Sequence, residues 1–281
     1  MSPLILIAAA IPALLGSLLL LNFAAAPGSL LIQQATVAVA AIAAALLSAR
    51  YLKTHFASAK TPWLLLGLAA LVCAPILGGA MSTPHRWLGF SGFRLYIAPV
   101  VLPLFLLLWH RTLSDGTGTA ILSTVAAVVT VLGLLLQPDA AQLTAFAVAS
   151  IPILGFSSGG RVVRLLTLGV FSLVAAVSCS LPDPLVPVPY VEGVFMLAAK
   201  FSDWALFAAV FAAALPVIAI AWLAYRMRSR GILAVALYFA VLYLLAPVQV
   251  TPVPLLGFGA GPILGYFIMV SQVWRGNANA V

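Results

Sequence analysis

Long apolar runs alternate with short polar breaks along the whole chain. An α-helix rises about 1.5 Å per residue, so about 20 residues cross a hydrocarbon core about 30 Å thick. Ten stretches approach that length, at about 4–22, 30–49, 63–80, 95–109, 120–136, 140–156, 165–180, 203–225, 232–246 and 258–274. The pattern predicts an all-α fold, a polytopic transmembrane helical bundle of about ten spans. It reads as a single domain over 1–281, with outer loops at about 81–94, 181–202 and 247–257. Several windows are nearer fifteen residues than twenty, so those helices extend into their flanks or lie where neighbours shield them. Runs such as Ala38–Leu47 are apolar at every position, unlike the alternating strands of a β-barrel. No basic segment precedes Leu4, and the run from Pro3 to Asn22 is long enough to be expected to stay as a span rather than leave as a signal peptide.

Composition agrees with lipid as the solvent. The 281 residues are 64% hydrophobic and 6% charged, whereas a soluble chain carries about a quarter charged residues. Charge then gives the spans a direction, because Lys and Arg concentrate in cytoplasmic loops. With the N-terminus inside, Arg50, Lys53, Lys60, Arg111, Arg161, Arg164, Arg226, Arg228, Arg230 and Arg275 fall inside, and only Arg86, Arg94 and Lys200 fall outside. Of the acids, Asp139, Asp183, Glu192 and Asp203 fall outside and Asp115 inside. Both termini of this multi-pass protein are therefore expected to be cytoplasmic. The net charge of +8 reads as a topology signal, with attraction to the anionic lipid of the bilayer as its by-product and no nucleic acid implied.

Cys73 and Cys179 fall within or at the end of helices, where thiols ordinarily pack. His55, His85 and His110 lie at helix ends without metal-ligand spacing. No metal site and no cofactor are indicated, with a divalent cation left open.

Function is sought in polar groups and irregular backbone on the outer side, which lipid tolerates only beside a cavity or a partner. The segment Pro84-His85-Arg86-Trp87-Leu88-Gly89-Phe90-Ser91-Gly92-Phe93-Arg94 reads as a tight turn against the membrane surface. Its arginines suit lipid headgroups or a phosphate site, since Arg forks match phosphate oxygens. In Gln137-Pro138-Asp139, Pro138 suits the first turn of the sixth helix and Asp139 its positive dipole end. The run Leu181–Gly193 holds four prolines, at 182, 184, 187 and 189, and reads as a stiff extended loop. That loop delivers Glu192 to the start of a short helix ahead of Lys200 and Asp203. A carboxylate at such a partly desolvated edge has a raised pKa, as suits a general base; alternatively Glu192 is a helix N-terminal charge or a partner for Arg86 or Arg94. Finally, Pro252, Pro254, Gly257 and Gly259 mark irregular backbone before the last helix, of the kind found in broken transporter helices.

Taken in order, these segments resemble the SEDS family (shape, elongation, division and sporulation) of polytopic membrane proteins. Arg86-Trp87-Leu88-Gly89 is similar to the family's outer Arg-Trp motif, and Gln137-Pro138-Asp139 to its Gln-Pro-Asp motif. Val191-Glu192-Gly193-Val194-Phe195 sits where the family has a Thr-Asp-Phe-Ile-Phe-like run, and Pro252–Gly259 resembles its Pro-Leu-Ile-Ser-Tyr-Gly-Gly segment. The resemblance implies a peptidoglycan glycosyltransferase that polymerises lipid II or another polyprenyl-linked sugar, beside a penicillin-binding protein or other membrane partner. It implies Glu192, in place of the family's Asp, as the catalytic residue. Arg86, Trp87, Arg94, Asp139 and Lys200 are the expected substrate-binding residues, and Gln137, Pro138, Pro252, Pro254, Gly257 and Gly259 shape the outer loops. The chain departs from the family in its short outer loop before Val194 and in Gly257, Phe258 and Ala260, where the family has Ser, Tyr and a second Gly. A non-catalytic lipid- or partner-binding relative, and a flippase for a lipid-linked substrate, are the alternatives.

Overall fold

Among the described residues, eleven helices follow the apolar runs of the chain and one small hairpin departs from them. The computed structural model describes residues 4–51, 60–77, 85–90, 93–113, 117–155, 160–183 and 185–278. Lys53, His55, Pro84, Ser91, Gly92, Asp115 and Pro184 lie outside the described residues, as do the side chains of Arg50 and Arg275. In chain order the elements are α1 (Leu4–Phe23), α2 (Gly28–Tyr51), α3 (Thr61–Leu77), β1 (Trp87–Phe90), β2 (Phe93–Tyr96), α4 (Ala98–Thr112), α5 (Thr117–Leu136) and α6 (Ala140–Leu154). There follow α7 (Arg161–Ser180), α8 (Val194–Phe201), α9 (Asp203–Met227), α10 (Arg230–Leu245), a single 3-10 turn (Ala246–Val248) and α11 (Ala260–Ala278).

Among the described residues, six helices are long and apolar enough to cross a membrane: α1, α2, α5, α7, α9 and α10, the last with its 3-10 extension. Thr61–Leu77, Ala98–Thr112, Ala140–Leu154 and Ala260–Val273 are shorter apolar helical stretches. Where these helices lie explains the difference. The 15-residue α4 and α6 span only about 22 Å each, and most of their residues are buried among neighbours. By contrast α7, apolar beyond its first turn apart from a few Ser and Thr, is only 17% buried, and turns Leu165, Leu166, Leu173 and Val177 outward. Water would penalise such an exterior, whereas hydrocarbon does not. The protein is a helical membrane protein in architecture.

α10 packs on α6, α9 and α4, while α11 packs on α2 and α4. An aromatic cluster fills the centre, with Trp109 of α4 stacked on Phe146 of α6 at 6.0 Å and Phe171 of α7 beside both. α11 lies close against the start of α4 where the two cross. A Cβ on Gly265 would collide with the Pro99 backbone, so only glycine lets the two helices touch. α9 and α10 start behind serine caps, in which Ser202 accepts from the Ala205 amide at 3.1 Å and Ser229 from the Ile232 amide at 3.4 Å.

One local expectation is corrected. The stretch read as the start of the fourth helix at about residue 95 is the second strand of an antiparallel hairpin, with Trp87 opposite Tyr96 and Gly89 opposite Arg94. Pro99, in the first turn, explains the late start of α4 at Ala98, since a proline is easily placed there and lacks the N–H a preceding turn would need.

Candidate functional site

The hairpin, the α5–α6 turn, the chain after α7 and the loop before α11 meet at one end of the bundle. Arg86 joins the first three. Its Nε donates to the Gln137 carbonyl at 3.1 Å, Nη2 donates to the Pro138 carbonyl, and Nη1 donates to Asp183 at 3.2 Å. The guanidinium is buried, while the Asp183 side chain is 31% exposed. Asp183 also accepts the Leu185 amide at 3.1 Å, a local turn that aims its carboxylate at Arg86. The Arg86 partner is therefore Asp183, not Glu192.

Beneath Arg86 lies a buried polar chain. Tyr96 donates to Asp139, which caps α6 by accepting the Gln142 amide at 3.3 Å, and Tyr238 of α10 donates to Gln142. Gln137 donates to the Val72 carbonyl of α3. Each of these groups is satisfied, as buried polar groups must be. Pro138 precedes the cap rather than filling the first turn of α6, which begins at Ala140 after Asp139. Asp139 stands at the start of α6 as expected, but as its cap rather than only as a charge at the dipole end, and burial against Tyr96 adds a structural task.

Glu192 sits in a turn in which the amides of residues 191, 192 and 193 converge on the Val188 carbonyl, at 3.0, 3.0 and 3.1 Å. Its carboxylate accepts the Val188 amide in return, at 2.8 Å. Burial pushes the Glu192 carboxyl above its ordinary value, with amide donors from Val188 and Glu192 itself holding it back. A narrow cleft of about 20 Å³ brings Glu192 together with Arg86, Trp87, Asp183, Gln249 and Pro252. That volume holds about one water molecule. The Trp87 ring leans against Tyr96 at 5.5 Å, closing one wall.

The loop before α11 forms the floor. Two backbone bonds pin it to the Glu192 turn, from the Val253 amide to the Val191 carbonyl at 3.1 Å and from the Phe258 amide to the Tyr190 carbonyl at 2.8 Å. A Cβ on Gly257 would collide with the Val191 carbonyl. Gln34 of α2 donates to the Gly257 carbonyl at 3.2 Å and to Ser17 at 2.8 Å, and accepts the Gly259 amide at 3.1 Å. Gly259 has φ +155°, a conformation that glycine adopts most readily. Tyr243 donates to the Pro254 carbonyl at 2.6 Å. Protein side chains thus receive the polar groups that this irregular backbone frees.

Arg94 is exposed on β2 and Lys200 is exposed near the end of α8; neither lines the cleft. Sequence reasoning passed over Asp183 as a site residue, and also Tyr96, Gln142, Tyr238, Gln249 and Gln34. For Gln34 a signal existed, since a polar amide inside an apolar span ordinarily faces the protein interior. Cys73 and Cys179 are both free thiols. No group of His, Cys, Asp and Glu among the described residues is arranged to hold a metal ion. Neither the protein-family models nor the curated proteins compared with this chain match it.

Proposed function

We propose that the protein is a SEDS-like protein of cell-envelope biogenesis, with ten spans and both termini on the cytoplasmic face of a bacterial inner membrane. Its working end is the one bearing Arg86, Asp183 and Glu192. In the polymerase reading, Glu192 takes the proton from the attacking sugar hydroxyl, whose oxygen bonds the anomeric carbon of the lipid-linked donor. The bond from that carbon to the pyrophosphate oxygen breaks, and the polyprenyl pyrophosphate leaves. The observation that carries this reading is a desolvated carboxylate, raised in pKa, in one cleft with a buried guanidinium. Arg86 meets a phosphate by exchanging it for the Asp183 carboxylate, the one solvent-facing partner it has.

A second reading, binding of a lipid-linked sugar or a membrane partner without catalysis, needs no room for two reacting sugars beside Glu192. At about 20 Å³ the cleft is far smaller than a sugar, and Arg86 already makes three bonds. Flippase action is less well supported, because the charged side chains of the described helices lie in end turns rather than in mid-span. Incubation of the purified protein with lipid II, alone and with a penicillin-binding protein, separates the readings, alongside lipid II translocation in vesicles. Glycan polymer is expected from the polymerase. Retained lipid II without polymer leaves the binding reading, and translocation without polymer leaves the flippase.

A further inference from the structure

The opposite end of the bundle carries a concentration of positive charge that the chemistry above does not use. α9 closes with Arg226 and Met227, the chain reverses at Arg228 and Ser229, and α10 opens with Arg230. The reversal is tight: the Arg228 amide donates to the Tyr225 carbonyl at 3.2 Å and the Ser229 amide to the Ala224 carbonyl at 3.1 Å. Arg228 takes the left-handed conformation, φ 49° and ψ 35°. Glycine ordinarily fills such a helix end because it has no Cβ to crowd the backbone. Here the position holds a cation instead.

Between the ends of α9 and α10 lies a cleft of about 540 Å³, lined by Tyr225, Arg226, Arg228, Ser229, Arg230 and Leu233. Arg226 lies 5.9 Å from the centre of the Trp222 ring. Tyr225 and Leu233 are exposed, at 81% and 39%, so an apolar outer wall runs directly into a cationic mouth. That is the order of groups along a phospholipid, tails and then phosphate. For Arg226 and Arg228 the described carboxylates are remote: Asp203 opens α9 at its other end, about 37 Å away along a 25-residue helix, and Asp139, Asp183 and Glu192 lie in the end that holds Arg86. The Ser229 hydroxyl accepts the Ile232 amide at 3.4 Å, which leaves its own O–H as a donor.

We propose that the cleft between α9 and α10 binds the phosphate headgroup of an anionic phospholipid through Arg226, Arg228, Arg230 and Ser229, with the acyl chains against Tyr225 and Leu233. Guanidinium forks match phosphate oxygens, and basic pockets between membrane helices at the bilayer surface take such headgroups. Inorganic phosphate shares the headgroup chemistry, but the apolar wall gives it nothing to contact. The inference rests on the membrane-spanning architecture and is independent of Glu192.

The test uses full-length protein in nanodiscs of equal phosphatidylglycerol and phosphatidylcholine, released for native mass spectrometry to count retained lipids. Wild-type protein is expected to retain phosphatidylglycerol over phosphatidylcholine by about five-fold or more, an energy difference of about 1 kcal/mol. R226Q/R228Q/R230Q should abolish the preference, whereas R161Q/R164Q, which removes charge from α7 at the same end, should leave it intact. R226K/R228K/R230K preserves charge if the Gln variant fails to fold, and should keep a weakened preference. Equal retention of the two lipids by wild-type protein overturns the proposal. So does equal loss in the two Gln variants, and so does displacement of the lipid by inorganic phosphate alone.

Discussion

The Arg86–Asp183 pair is unequal, and the inequality can be measured. Removing Arg86 leaves the Gln137 and Pro138 carbonyls without their donor and the buried Asp139 without its neighbouring cation. Loss of one member of a buried charged network costs about 3–5 kcal/mol, so Arg86→Met is expected to lower the unfolding temperature in detergent severely. Asp183 is 31% exposed, and solvent screening holds such a contribution to about 1 kcal/mol or less. Asp183→Asn should therefore leave thermal stability almost unchanged. It should tighten lipid II binding up to about five-fold, because the resident competitor for the guanidinium is gone; weaker binding would show that Asp183 is not displaced by phosphate. Glu192 has its own pH signature. Its pKa is raised in the folded state, so the native protein holds that proton longer than the unfolded chain. Its linked stability is then full below the ordinary carboxyl value and declines as pH rises through the folded value. Glu192→Gln should remove that part of the pH dependence of thermal unfolding. Arg86 and Glu192 stood out in the sequence because charge is rare in this chain. Their true partners did not, because pairing across the bundle depends on loop paths that proline content alone leaves open.

Among the elements, the loop before α11 and the α4–α11 crossing depend on single residues. Gln34 holds the loop through the Gly257 carbonyl and the Gly259 amide. A Gln34→Leu variant strands both groups in a buried place, at about 1–3 kcal/mol for each unsatisfied group, and should lower the unfolding temperature. Gly265→Ala forces α11 away from the Pro99 backbone, an overpacking expected to cost about 1–3 kcal/mol in reversible unfolding. An unchanged stability would mean that the two helices are not in contact there. The helices were legible from apolar periodicity, and their boundaries fall within a few residues of the windows read from it. The hairpin at Trp87–Tyr96 was not legible. Its strands are four residues each, too short for a period of two to stand out against the apolar helix that follows.

Across the molecule, charge separates by end among the described residues: the acids with Arg86 at one, and the arginines of α4, α7, α9 and α10 at the other. If these ends face opposite sides of a membrane, cysteines introduced at Val186 and Arg228 in a Cys73→Ser, Cys179→Ser background should react with an impermeant thiol reagent from opposite sides. Labelling of both from the same side would break the signed topology. Basic-residue counting made that separation by end legible in the sequence, but the narrowness of the cleft was not, since the contact of Trp87 with Tyr96 at its wall has no local sequence mark. The most direct experiment is polymerisation of lipid II by wild-type protein and by Glu192→Gln across the acidic range. We expect glycan polymer from the wild-type protein, at a rate that climbs with pH through a midpoint above the ordinary glutamate value of 4.5, and product reduced by about 100-fold or more in the variant. Equal product from the two proteins, or none from either with any partner, would contradict the role of Glu192 as the base.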